Sequence, residues 1–397
     1  MREIDLIIIG SGPAGISTAL HLLQQDQSWA QRMILIDEAA HPRPKLCGGG
    51  VTRIGLETLQ GLGFELPLPI PHEVINQARL RYRGREIRVR GRPEFVVFNR
   101  IEFDAYLAEG ARRRGVVLHE NESVEMLTFN LTGVEVKTTR DTYQAKAVVG
   151  ADGSKGITRR ILGRHNSGSK VARVLETIHQ TDGDGAHFLE HFAVFEFTPV
   201  EQNLQGYFWD FPSRVGEQPR YNRGVYDARF ISDKKRAKLP AILKSELNNV
   251  EGLEGKVDFQ GHPIHWFSPG SRITEPRLLL VGDAAGVEPL FGEGIGPALA
   301  YGKIAAGELN AAFINDDFTF KDYKHRLFTS ALGRYLLYRW SVSWWLYRFS
   351  TIPLFMHLVW TIGKLASWLR PVGQPLFPFG HMNSNRTSGR RIREYSE

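Results

Sequence analysis

The run Leu6-Ile7-Ile8-Ile9, passing directly into Gly10-Ser11-Gly12-Pro13-Ala14-Gly15, constrains this chain more than any other stretch. Four branched apolar residues in a row read as a buried strand, here over residues 4–9. The G-x-G-x-x-G that ends it opens a helix over 13–24, and a second apolar strand follows over 33–36. In such a turn Gly10 permits the sharp bend, Gly12 lets the backbone approach a pyrophosphate, and Gly15 lets the helix pack close to the strand. Pro13 and Ala14 occupy the first helical turn, where free N–H groups and the helix dipole favour phosphate charge. Asp37 ends the second strand 22 residues after Gly15, where a carboxylate accepts hydrogen bonds from an adenosine ribose; Glu38 beside it is the weaker candidate. A glycine-rich turn without a ligand is the bland alternative, and strand, helix and acid in register argue against it.

Bulk properties set the frame. A chain of 397 residues suits two intergrown domains, and 42% hydrophobic with 23% charged residues is ordinary for a soluble globular protein. The formal net charge of +7 suits an anionic partner, whether a diphosphate, an anionic lipid surface or nucleic acid. Basic residues are scattered and no recognised nucleic-acid motif appears, so nucleic acid is not expected. Cys47 is the only cysteine, which rules out an intrachain disulfide and fits a reducing compartment. No secretory signal is read at the start, because the apolar run stops at Gly10. The expected location is therefore cytoplasmic, with peripheral contact on the inner face of the membrane as an option.

Two further glycine turns sharpen the ligand. Gly150-Ala151-Asp152-Gly153 follows a buried strand over 147–150, and Gly282-Asp283-Ala284-Ala285-Gly286 follows another over 278–281. The second leads through Pro289, Gly292, Glu293, Gly294 and Ile295 into a helix over 296–313. An Asp at a strand end can bind ribitol or ribose hydroxyls, and a glycine-lined helix start can sit against a flavin ring and its phosphates. The three turns in this order point to FAD. The fold expected is α/β, α+β overall. A Rossmann-type FAD-binding domain with a parallel sheet takes 1–75, 96–165 and 270–330. It is intergrown with a mainly antiparallel-sheet substrate domain from 76–95 and 166–269. Aromatic helices over 331–385 and a flexible tail over 386–397 complete the chain.

With these segments the sequence resembles the FAD-dependent monooxygenase superfamily of the p-hydroxybenzoate hydroxylase fold, and within it the geranylgeranyl reductase family. The broader resemblance covers about residues 1–310 and includes Arg100 with Asp104 at a helix start. The narrower one rests on three segments. They are Pro44-Lys45-Leu46-Cys47-Gly48-Gly49-Gly50, Tyr207-Phe208-Trp209-Asp210-Phe211-Pro212 and Pro289-Leu290-Phe291-Gly292-Glu293-Gly294-Ile295. The broader resemblance implies Arg100 near the FAD pyrophosphate, and the two together imply cofactor contacts from Cys47, Gly48, Gly49, Val124, Asp152, Gly282, Asp283, Gly286, Gly292, Gly294 and Ile295. Members of the family reduce isolated carbon–carbon double bonds of prenyl chains, which implies an apolar lipid or small-molecule substrate here.

The chemistry then needs a proton source. Cys47 reads either as a thiol acid beside the flavin or as a small buried hydrophobe in a glycine loop. Tyr207, Trp209 and Phe211 alternate, so on a strand they share one face and either line an apolar tunnel or form a core wall. Cys47, Tyr207 and Trp209 are the catalytic candidates. The segment 207–212 also resembles the W-x-W-x-I-P motif of flavin-dependent halogenases, from which Tyr207 and Phe211 depart. Glu293 is either a charged group near the ring or a solvated turn residue. No second G-x-G-x-x-G exists for a nicotinamide, since Gly61-x-Gly63 has Leu66 in place of its third glycine. Electrons are expected from NAD(P)H bound transiently or from a protein donor such as ferredoxin. A flavin hydroxylase is the alternative enzyme, and a non-catalytic flavin-binding accessory protein the alternative outside enzymes.

From about Tyr335 onward aromatics and leucines interleave with Arg339, Arg348, Lys364 and Arg370. Five tryptophans fall there: Trp340, Trp344, Trp345, Trp360 and Trp368. The longest uncharged run, 349–363, holds Pro353 and is shorter than the roughly 20 residues a spanning helix needs. These helices either cap the substrate domain with buried tryptophans or lie on a membrane surface.

Overall fold

The computed structural model describes residues 2–163, 170–250 and 258–369. The expected tail at 386–397 and the last part of the expected helical region, 370–385, lie outside the described residues.

Two eight-stranded sheets organise the chain. In the first, Arg2–Ile9 lies between Met33–Ile36 and Thr142–Gly150, parallel to both, with Ile8 opposite Leu35 on one side and Val149 on the other. Leu278–Leu280 extends the parallel set beyond Thr142–Gly150, and Val117–His119 extends it beyond Met33–Ile36. Strands buried on both faces need apolar residues at every position, which is why these runs are continuous rather than alternating. Register brings Ile9, Ile36, Gly150 and Leu280 to one edge. Helix Pro13–Gln25 leaves from that edge and packs along Ile295–Asn315. The crevice outside the carboxyl ends of such strands is where ligands bind in doubly wound folds.

The second sheet runs Gln260–His265, Val171–Gln180, Gln218–Asp227, Gly206–Val215, Phe192–Glu196, His72–Tyr82, Arg85–Phe98, Gly50–Thr52. Its neighbours pair antiparallel except Phe192–Glu196 with His72–Tyr82. This corrects the expected boundaries, since residues 50–52, 72–75 and 96–98 belong to the second sheet. The reason is local. Phe95, Val96, Val97 and Phe98 are all buried, so no alternation marks them as part of the preceding two-faced strand.

The last two helices, Ala331–Phe349 and Pro353–Leu369, close one face of the second sheet. Tyr347, Met356 and Trp360 join a core with Tyr82, Ile87, Phe197 and Tyr207. The tryptophans divide: Trp360 is buried and Trp340 half-buried, while Trp344, Trp345 and Trp368 are exposed. Among the described residues no helix is long and apolar enough to cross a membrane.

Candidate active site

A cleft of about 540 Å³ opens at the carboxyl edge of the parallel sheet. Gly10, Gly12, Pro13, Ala14, Asp37, Glu38, Val124, Asp152, Asp283, Gly292, Gly294 and Ile295 all line it, together with Cys47 and Arg100. The three fingerprint glycines divide their work. Gly10 has φ +103°, and a Cβ on Gly15 would lie 2.0 Å from the Gly10 carbonyl oxygen, so these two shape the protein itself. A Cβ on Gly12 would meet only Arg43, 3.8 Å away, so Gly12 faces open cleft. That open backbone at the start of a helix is the cradle a pyrophosphate needs. The N-terminus of Ile295–Asn315, preceded by Gly294, lines the same cleft.

Asp37 is buried, and its carboxylate accepts hydrogen bonds from Ser11 N (2.7 Å), Ser11 Oγ (2.6 Å) and Ala39 N (3.0 Å). Burial opposes its charge, but Arg43 at 3.7 Å and these donors outweigh it and hold the carboxyl below its usual range. Glu38 is exposed on the cleft rim. Arg100 makes a two-pronged pair with Asp104, Nε to Oδ1 at 2.7 Å and Nη2 to Oδ2 at 2.8 Å. The Arg43 guanidinium, 3.8 Å from Asp104, has a buried Nε without a partner. Arg43, Lys45, Lys155 and Arg160 therefore surround the cleft with positive charge fit for a diphosphate.

Several expected contacts are corrected. Gly282 and Gly286 do not line the cleft: their positive φ and close approach to Ala14 and Phe267 make them turn residues. Gly48 and Gly49 line the neighbouring chamber instead. Asp152 lines the cleft, but its carboxyl accepts from Thr158 N at 2.9 Å and Thr158 Oγ1 at 2.5 Å, tying the turn to the next helix rather than presenting free oxygens.

The chamber, of about 210 Å³, lies against the second sheet, closed by the segment 291–295 and Arg339, and shares a wall with the cleft. Cys47, His262, Ile264, Gly292, Gly294 and Ile295 line both spaces. Beyond that wall the lining is mostly apolar, with Leu80, Val89, Phe95, Phe195, Tyr207 and Phe211 prominent. Tyr207, Trp209 and Phe211 do share one face, as their alternation requires. Their polar atoms, however, are spent on the protein. Tyr207 donates to the Phe291 carbonyl, and burial pushes its hydroxyl well above the usual tyrosine value. Trp209 Nε1 donates to Asn222 Oδ1 at 2.8 Å, and Asn222 Nδ2 donates to the Cys47 carbonyl at 2.9 Å. Tyr207 and Trp209 thus act as wall and brace rather than as proton donors.

The same logic holds the segment 289–291. Tyr226, Tyr347 and Tyr207 donate to the carbonyls of Pro289, Leu290 and Phe291. Glu288 accepts from the N–H groups of Leu290, Phe291 and Glu293. Glu293 is half-buried and engaged: it accepts from Tyr335 Oη at 2.6 Å and from Thr52 Oγ1. Cys47 is half-buried, its Sγ accepts from Gly49 N at 3.4 Å, and burial pushes the thiol up so that it stays protonated at neutral pH. Sequence reasoning missed Arg43, Glu176 and His262. The first lay in a proline-rich loop, and the other two sit on strands of the second sheet, 129 and more residues from Cys47, with no motif around them.

A Rossmann-type cleft with a cationic rim, facing an apolar chamber across one shared wall, defines an FAD-dependent oxidoreductase. The chain belongs to the FAD binding domain family, whose profile matches residues 3–299. It is 26% identical to a menaquinone reductase of Mycolicibacterium smegmatis, over 79% of this chain and 78% of that one. It is 28% identical to digeranylgeranylglycerophospholipid reductase 2 of Methanopyrus kandleri, over 82% and 81% respectively. Among solved structures, a geranylgeranyl bacteriochlorophyll reductase-like protein of Thermoplasma acidophilum superposes with TM-score 0.75 and 20% identity, covering 94% of this chain and 93% of the other. Halogenases are among the other solved chains of this fold.

Proposed function

We propose that the protein reduces carbon–carbon double bonds of an isoprenoid chain carried by a lipid, a diphosphate or a quinone. The observation that carries this is the chamber: its lining is largely aromatic and aliphatic, and it meets the cofactor cleft at Cys47 and Ile295. An apolar chain offers few hydrogen bonds, so aromatic walls are the means of holding it. FAD, when bound and reduced, supplies the hydride equivalent. The chain's own residues hold the alkene at the shared wall, exclude water with Phe195, Phe211 and Phe291, and keep a neutral thiol at Cys47 for the one proton that the other alkene carbon takes up. The names of the Mycolicibacterium and Methanopyrus relatives lend this reading support.

The test is anaerobic. The flavoprotein is reduced with dithionite, which bypasses NAD(P)H or ferredoxin as donor, and is mixed in turn with geranylgeranyl lipids, geranylgeranyl diphosphate and prenylquinones. Flavin reoxidation with a product carrying two more hydrogens is the expected result. A flavin that stays reduced with every alkene, yet gives an oxygenated product in air, would replace this reading with a hydroxylase.

A further inference from the structure

On helix Pro353–Leu369 the residues Leu354, Leu358, Ile362, Leu365 and Leu369 are 78, 55, 58, 58 and 66% exposed. Their spacing of four, four, three and four places them on one helical face. The opposite face is already docked. Met356 and Trp360 are buried, Trp360 Nε1 donates to the Leu80 carbonyl at 3.3 Å, and Gly363 lies against Ile87. The outward stripe is therefore not one side of an unfinished core. Trp368 at 80%, Ile352 at 48% and Trp345 at 58% exposed extend it along the helix and onto Ala331–Phe349. A contiguous apolar surface of this kind marks an interaction site.

Charge says what kind. Alongside the stripe runs a groove in which Arg85, Arg88, Arg90 and Lys364 accompany Trp360, Leu365 and Trp368. Glu86 is the one carboxylate lining it, and it is paired with Arg81 and Arg88. Neither terminal helix carries an acidic residue. The seventeen described residues of this helix make about 25 Å, less than a bilayer span needs and suited to lying along its surface. Exposed leucines with tryptophan and flanking cations are what the headgroup layer of an anionic bilayer accepts.

We infer that the outer face of Pro353–Leu369, with the adjoining arginines of the 85–90 strand, is a docking surface for an anionic phospholipid bilayer. The assignment is independent of which substrate the chamber takes. It also has a geometric consequence: Leu80, whose carbonyl anchors Trp360, lines the chamber, so the helix that presents the outer face packs with its inner face on a strand that walls the apolar space.

The experiment sediments the full-length flavoprotein with vesicles of phosphatidylcholine alone and of phosphatidylcholine containing phosphatidylglycerol. Binding is expected to the anionic vesicles and to be weakened by salt. The double variant Leu358→Glu, Ile362→Glu is expected to weaken binding at least tenfold, and Arg85→Glu with Arg90→Glu about tenfold on anionic vesicles only. Bound flavin, read in the visible spectrum, reports that each variant is folded. Equal sedimentation of native protein and both variants overturns the proposal. So does a native protein that ignores vesicles but loses a dimer in light scattering when Leu358 and Ile362 are replaced, since a second copy then covers the face. A native protein that neither binds vesicles nor dimerises overturns it as well.

Discussion

Glu176 Oε1 accepts the backbone N–H of Cys47 at 3.0 Å, joining the glycine loop at the cofactor cleft to the second sheet across 129 residues of sequence. The second carboxyl oxygen, Oε2, is buried and has no partner. Burial raises this carboxyl from 4.5 to about 7, with the Cys47 N–H and Arg100 pulling the other way. Glu176 thus changes charge directly behind the thiol proposed to give up a proton.

If that charge matters to turnover, the rate of substrate-driven flavin reoxidation has an inflection near pH 7. Glu176→Gln keeps an oxygen for the Cys47 N–H and removes the titration, so the profile is expected to flatten while flavin content stays unchanged. An inflection that survives in the variant assigns it elsewhere.

The same carboxyl has a stability signature. Its folded value lies above its unfolded one, so the stabilisation it gives is present below about pH 4.5 and lost as pH rises through about 7. Melting temperatures of native protein and Glu176→Gln, compared between pH 4.5 and 8, should show the variant gaining on the native protein as pH climbs and then levelling. A constant difference across that range contradicts the assignment.

Gly12 and Gly15 separate cofactor from fold. A Cβ at Gly12 meets no protein atom closer than 3.8 Å, so Gly12→Ala should leave the apoprotein's melting temperature unchanged and lower FAD affinity by tenfold or more. Gly15→Ala drives a methyl to 2.0 Å from the Gly10 carbonyl, so it should destabilise the apoprotein itself. Isothermal titration with FAD, paired with apoprotein melts, reads both.

Cys47 is the sole thiol, so alkylation reports on it without ambiguity. Because burial keeps it protonated, intact-mass measurement with iodoacetamide at pH 7.5 should show labelling slower than that of free cysteine. Cys47→Ser should retain flavin and lose roughly 10²-fold in kcat, within the range a positioned acid contributes. A serine variant with native kcat reduces the thiol to packing.

Trp360 anchors the terminal helix through its buried ring and its bond to Leu80. Trp360→Ala should cost about 3–5 kcal/mol in denaturant unfolding, whereas Leu358→Ala on the exposed face should change stability by no more than about 0.5 kcal/mol. Similar costs for both would mean that the outer face is also covered in solution.

The nucleotide half was legible because its signals are local. A strand buried on both faces must be apolar at every position, and a pyrophosphate turn needs glycine at fixed spacing, so Gly10, Gly12, Gly15 and Asp37 stand out within forty residues. The Y-x-W-x-F alternation likewise put Tyr207, Trp209 and Phe211 on one face without any knowledge of the sheet.

What the tertiary structure alone decided is which polar atoms were already engaged. Nothing in the sequence says that Tyr207 gives its hydroxyl to Phe291, that Asp152 turns to Thr158, or that Gly286 serves a turn against Phe267. Nor does local sequence distinguish Trp360, buried, from Trp368, exposed, eight residues later on the same helix. Hydrogen-bond partners and burial are set by contacts between segments far apart in the chain. Residue type and spacing carry the chemistry a side chain can offer, and packing determines whether that chemistry is still available.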